Sequence, residues 1–95
     1  MAIGIVDLPA NTWVKIVDGT GLDAVTWQAK TDNINIGATS ADAAPSGDYD
    51  AWPEYEFGQG EAAINAATFF AGVSGVTYLW AYSAGKDGKI WRSHA

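Results

Sequence analysis

Five carboxylates, Asp42, Asp48, Asp50, Glu54 and Glu56, fall within fifteen consecutive residues and form the densest group of chemically capable side chains in the chain. Paired acids can cleave glycosidic bonds, one protonating the leaving oxygen while the other attacks or activates water, or they can hold calcium. Asp48-Tyr49-Asp50 has the first two oxygen positions of an EF-hand-like loop, but Ala51-Trp52-Pro53 follows, without the third ligand or the glycine. The acids therefore read as a solvated loop, and neither a metal nor a cofactor is expected. Histidine occurs once, at His94. A Ser-His-Asp triad would have to be built on a fraying terminus, so the expectation is a histidine facing solvent or an interface. With no cysteine and no Gly-x-x-x-x-Gly-Lys phosphate loop, thiolate zinc sites and nucleotide cradles have no residues to form them. The chain reads as a non-enzyme.

Its aromatic residues are the richer signal. Trp13, Trp27, Trp52, Trp80 and Trp91, with Tyr49, Tyr55, Tyr78 and Tyr82, exceed what one inward face of a 95-residue domain encloses, so some must reach the surface. Trp80 and Tyr78 share a strand face with Val76 and are expected in the core. Trp52 stands in the acidic loop between Tyr49 and Tyr55, a contact patch of the kind in which Trp and Tyr supply much of the binding energy. The expected partner-binding residues are Tyr49, Trp52 and Tyr55 in this loop, and Trp91 and Arg92 near the end of the chain. Such rings can enter a protein groove or stack on a sugar.

Eleven acids against five bases give a formal charge of -6, the wrong sign for gripping phosphates, so nucleic-acid binding is not expected. Charged residues make up only 17% against 48% hydrophobic, which separates the chain from disordered acidic segments. The first apolar stretch is cut by Asp7 and Pro9 and lacks a basic leader. No stretch approaches a bilayer span, and no membrane association is expected. Without disulfides, a domain this small gains from burial against copies of itself or partners.

Strands joined by glycine turns must position these rings, because Leu, Glu, Lys and Arg are scarce. Ile3 to Leu8 is a strand that Pro9 ends or confines to an edge. Asn11 to Val17 alternates, with Trp13, Lys15 and Val17 on one face. Asp18-Gly19-Thr20-Gly21 predicts a hairpin to Ala24–Lys30, whose buried face carries Val25, Trp27 and Ala29. Asn33 to Thr39 places Ile34, Ile36 and Ala38 inward and Asn33, Asn35 and Gly37 outward. From Ser40 to Pro53 the chain is a long loop, a type that is often functional. Glu54 to Phe57 is a further strand, and Glu61 to Ala71 is ambiguous: its alanines could support a helical turn or two, but its place between turn signals favours strand or irregular structure leading to Phe69-Phe70. Val76 to Ser83 is the clearest strand, with Val76, Tyr78, Trp80 and Tyr82 as its predicted core face. Ala84 to Gly88 predicts a hairpin to Lys89–His94. About seven or eight short strands at this spacing predict one all-β domain over residues 1–95, a small jelly-roll-like antiparallel β-sandwich.

This layout resembles the small β-sandwich virion proteins of tailed bacteriophages, particularly capsid decoration (cement) and head-fibre proteins. The resemblance lies in Leu8-Pro9 followed by Thr12-Trp13, in Val25-Thr26-Trp27-Gln28, in the Pro45 to Gly47 loop, and in Tyr78-Leu79-Trp80-Ala81-Tyr82-Ser83 with Gly88-Lys89-Ile90-Trp91. It implies a non-enzymatic protein made in the host cytoplasm and displayed on the capsid surface of the virion. Such a protein would be a homo-oligomer, often a trimer, that braces the major capsid protein or another virion protein. The heavy tryptophan content departs from that pattern and leaves a carbohydrate- or receptor-binding module, with a glycan as partner, as the alternative.

Overall fold

Alternating apolar and polar residues fold into eight strands in the computed structural model, which describes residues 2–95. They are β1 (Ala2–Leu8), β2 (Trp13–Asp18), β3 (Val25–Ala29), β4 (Ile34–Thr39), β5 (Glu54–Tyr55), β6 (Gly60–Ile64), β7 (Tyr78–Ser83) and β8 (Gly88–His94). One helical turn, α1 (Ala66–Phe69), separates β6 from β7. Two four-stranded antiparallel sheets result, ordered β1-β8-β3-β6 and β2-β7-β4-β5. The ladders β1·β8, β2·β7, β3·β6 and β4·β5 describe one long ribbon, closed by the β4–β5 connection and rolled so that successive strands alternate between sheets. This is the jelly roll, and the expected all-β sandwich is the fold of the chain.

The roll overturns both expected hairpins. β2 and β3 lie in different sheets, as do β7 and β8, so Asp18–Gly21 and Ala84–Gly88 carry the chain across the core. A glycine turn fixes where a strand ends; whether the next strand pairs beside it or packs opposite it is decided by which apolar faces must meet.

Between the sheets lies a core of Leu8, Ile16, Val17, Val25, Trp27, Ala29, Ile34, Ile36, Ala38, Leu79, Ala81 and Ile90. Its largest member, Trp27, is 1% exposed and meets Tyr55 and Phe69 edge to face, at 5.8 Å and 5.7 Å between ring centroids. On β4, Ile34, Ile36 and Ala38 point inward as expected, opposite Ser83, Ala81 and Leu79 of β7.

That register reverses the expected faces of β7. Leu79, Ala81 and Ser83 form its core side, while Tyr78, Trp80 and Tyr82 lie on the outer surface of the sheet. On the outer face the Trp80 indole donates to Thr39 Oγ1 at 2.9 Å, the kind of polar partner a buried Trp N–H favours. Trp80 is nevertheless buried, at 8% exposure.

Two more differences are local. β2 begins at Trp13 and holds one extra residue relative to β7 between Lys15 and Val17, and this bulge lets consecutive Ile16 and Val17 both be buried. The Glu61–Ala71 stretch divides into strand β6 and then α1, whose cap is Asn65 Oδ1 accepting from Thr68 N at 3.1 Å. Phe69 and Phe70 therefore sit at the end of a helical turn, not in a strand.

Candidate interaction surfaces

The outer face of the β2-β7-β4-β5 sheet is built from Trp13 and Lys15 of β2, Tyr78, Trp80 and Tyr82 of β7, and Asn35, Gly37 and Thr39 of β4. The Ser40–Pro53 loop folds over part of it. Gly37 makes room: a Cβ there would stand 2.9 Å from the Pro45 ring and 3.1 Å from the Trp13 indole. Asn35, buried on this face at 2% exposure, donates from Nδ2 to the Trp52 carbonyl at 3.0 Å. Its exclusion from solvent follows from the loop above it, which strand periodicity does not report.

The loop delivers Tyr49, on a single 3-10 turn (Tyr49–Ala51), onto Tyr82. These rings stack at 4.5 Å and 11°, and Tyr82 in turn meets Trp13 at 5.2 Å. Beside this platform Lys15 lies over the rings of Tyr78 and Trp80, at 5.1 Å and 6.0 Å, and pairs with Asp42 at 2.8 Å. The hydrogen bond to Asp42 holds the Lys15 ammonium above its ordinary pKa.

The three aromatic residues expected to form one loop patch are dispersed. Tyr49 is on the platform and 37% exposed. Trp52 is half-buried, meets Phe70 edge to face at 5.9 Å and lines a groove with Thr39, Ser40, Pro45, Ser46 and Val73. Tyr55 is 7% exposed, enclosed beside Trp27, and its hydroxyl donates to Glu61 Oε2 at 3.1 Å. Burial first, and then this carboxylate, push the Tyr55 phenol well above its ordinary pKa.

Trp91 and Arg92 are also separated, by the pleat of β8. Trp91 lies on the outer face of the β1-β8-β3-β6 sheet, between Ile5 of β1 and Gln28 of β3. Arg92 points the other way, and its Nε donates to the Ile16 carbonyl at 3.0 Å. It thereby stitches β8 to the bulge of β2 in the opposite sheet. His94 is buried, at 7% exposure, with Nδ1 3.1 Å from the Ala95 carbonyl oxygen, instead of facing solvent. Its strand parity with Ile90 turns it inward.

Sequence reasoning missed the most exposed apolar side chains of the outer faces. Ile3 and Ile5 are 64% and 50% exposed and flank Trp91 on the β1–β8 margin. Their signal was present: Asp7 shares their parity along β1, marking that face as exterior. Asp7 pairs across the strands with Lys89 at 2.7 Å, so the margin carries no unbalanced charge. Phe57, in the turn after β5, is 70% exposed.

The acidic residues do not converge. Asp42 is held by Lys15, Glu56 Oε2 accepts from the Asn33 N–H at 3.3 Å, and among the described residues no three His, Cys, Asp or Glu side chains are grouped to hold a metal ion. No helix among the described residues is long and apolar enough to cross a membrane. The chain matches no protein-family model, and neither a curated protein nor a solved structure matches it.

Proposed function

We propose that the chain is a non-catalytic structural subunit that docks on protein neighbours through the outer face of the β1-β8-β3-β6 sheet, as a capsid decoration or head-fibre protein of a tailed phage. The observation that carries this reading is the pair Ile3 and Ile5, 64% and 50% exposed, beside Trp91 on a margin whose two charges neutralise each other. A contiguous apolar patch on a small domain marks a contact site, and an aromatic anchor at its centre supplies its specificity. The major capsid protein, or another virion protein, is the partner this reading assigns. The test combines mass spectrometry of purified phage particles with rebinding of purified chain to particles stripped of it. Abundance in particles, and loss of rebinding in a folded Trp91→Ala variant, are expected. Absence from particles, or rebinding equal to wild type, refutes the assignment.

A second reading rests on a different observation, the near-parallel Tyr49–Tyr82 stack with Trp13 at its edge. Such a platform suits the apolar face of a sugar ring. Saturable quenching of tryptophan fluorescence by an oligosaccharide, lost in Tyr49→Ala, is its signature.

A further inference from the structure

A sheet edge presents unpaired N–H and C=O groups, and folded proteins protect edges with bulges, charges, shortness or proline. This sandwich has four edges, β1, β6, β2 and β5, and three of them are protected. β5 is two residues long. β2 has its extra residue between Lys15 and Val17, with the freed Ile16 carbonyl taken by Arg92. β6 likewise bulges against β3, between the pairs Val25–Ile64 and Trp27–Glu61, and its Ala63 adopts φ 50°. β1 differs from all three. It pairs with β8 without a register shift through all seven residues, Ala2 to Leu8, and its outward side chains include the exposed Ile3 and Ile5.

We propose that β1 is the interface to a second copy of this chain, the two strands pairing antiparallel about a two-fold axis through Gly4 so that the β1-β8-β3-β6 sheets join into one of eight strands. An isologous contact requires a self-complementary strand, and among the registers that pair at least five residues of β1 only one sets no isoleucine opposite a charge. Centred on Gly4, it sets Ile3 opposite Ile5 of the second copy twice over, with Ala2 opposite Val6 on the other face. Centred on Ile5 it would set Ile3 opposite Asp7, and centred on Val6 it would set Ile5 opposite Asp7; both waste an apolar contact on a charge. Gly4 suits the axis. It holds φ +142°, a conformation open to glycine, and no atom stands within 4 Å of where its Cβ would be. The occupant is a second copy because the Gly4 register keeps Asp7 with its own Lys89. The approaching margins are thereby charge-balanced although each chain carries -6. Repulsion between the two net charges acts over the longer range, so added salt strengthens the pairing. The contact goes beyond the docking face: it adds backbone pairing at the strand edge, and it shares Ile3 and Ile5 with the patch on the outer face.

Sedimentation equilibrium of the full chain from micromolar to millimolar concentration tests this, together with oxidative cross-linking. A monomer–dimer equilibrium that tightens with NaCl is expected. Ile5→Lys weakens it by about tenfold or more while leaving unchanged the unfolding midpoint measured at concentrations low enough for the chain to be monomeric. The chain has no cysteine of its own, so introduced thiols report the register. Directly opposed residues stand about 4.5–5.5 Å apart at Cα, within reach of a disulfide. A mixture of Ile3→Cys and Ile5→Cys chains therefore cross-links, and either variant alone does so far less. A wild type that stays monomeric, a trimer, a dimer indifferent to Ile5→Lys, or equal cross-linking by single variants and mixture would each overturn the proposal. None of these readouts involves a phage particle, so they fail or succeed separately from the proposed function.

Discussion

Replacing Gly37 with alanine asks whether the Ser40–Pro53 loop is packed onto its sheet or merely lies near it. The new methyl group would stand 2.9 Å from Pro45 Cγ and 3.1 Å and 3.2 Å from two atoms of the Trp13 indole, so at least one ring must move. Forcing a methyl group into a filled site costs about 1–3 kcal/mol. Against this, alanine in a strand is favoured over glycine by roughly 0.5–1 kcal/mol, through lost freedom of the unfolded chain. The net expectation is destabilisation by about 0–2.5 kcal/mol. Gly72 is the internal control: no atom stands within 4 Å of its would-be Cβ, and Gly72→Ala should stabilise by about 0.4–1 kcal/mol. Urea unfolding of both variants with equal m-values reads the difference directly. In a Trp13→Ala background the Gly37→Ala penalty shrinks, because only Pro45 then resists the methyl group. The displaced indole also loosens the Trp13–Tyr82–Tyr49 platform, so any oligosaccharide quenching weakens in parallel. Equal stability of the two alanine variants would refute the packing described for this face.

Two further outcomes follow from the buried polar contacts. The Tyr55 phenol stays neutral in the fold, whereas in the unfolded chain it ionises near its ordinary value of 10.0. Its contribution is therefore complete below pH 10 and is lost as pH climbs toward the raised folded value, at up to about 1.4 kcal/mol per pH unit; Tyr55→Phe flattens that alkaline slope in denaturation measured from pH 9 to 12. Arg92→Met removes the bond to the Ile16 carbonyl and should cost about 1–2 kcal/mol in chemical unfolding, with tryptophan emission reporting whether the sheets part at the β2 bulge.

Much of the secondary structure is legible in the sequence, because burial of a strand on one side imposes a period of two. The segment at Ile3 declares its extent, and those at Val25 and Ile34 declare both their extent and their inward residues. Legibility stops at β7. Both of its faces are covered, so alternation separates Leu79, Ala81 and Ser83 from Tyr78, Trp80 and Tyr82 but carries no mark of which set faces the core. The larger rings suggest an interior position, whereas the register with β4 turns Leu79, Ala81 and Ser83 inward and sends Trp80 outward to Thr39. Among the expected contact residues, proximity in the chain proved a poor guide. Tyr49, Trp52 and Tyr55 lie within seven residues, yet a 3-10 turn and a two-residue strand send them to the platform, the groove and the core. Ile3 and Ile5 could have been identified from the parity of Asp7.

The amino-acid sequence by itself determined that this chain makes short strands, roughly where most of them lie, and that it holds more aromatic surface than one small core can take. Those are local properties, set by side-chain period, turn residues and composition. Only the tertiary structure decided which strands pair, because both glycine turns allow either a hairpin or a passage across the core and the choice minimises apolar surface over the whole roll. The same global packing left β1 as the one edge strand that is neither short nor bulged, a property that belongs to no segment alone.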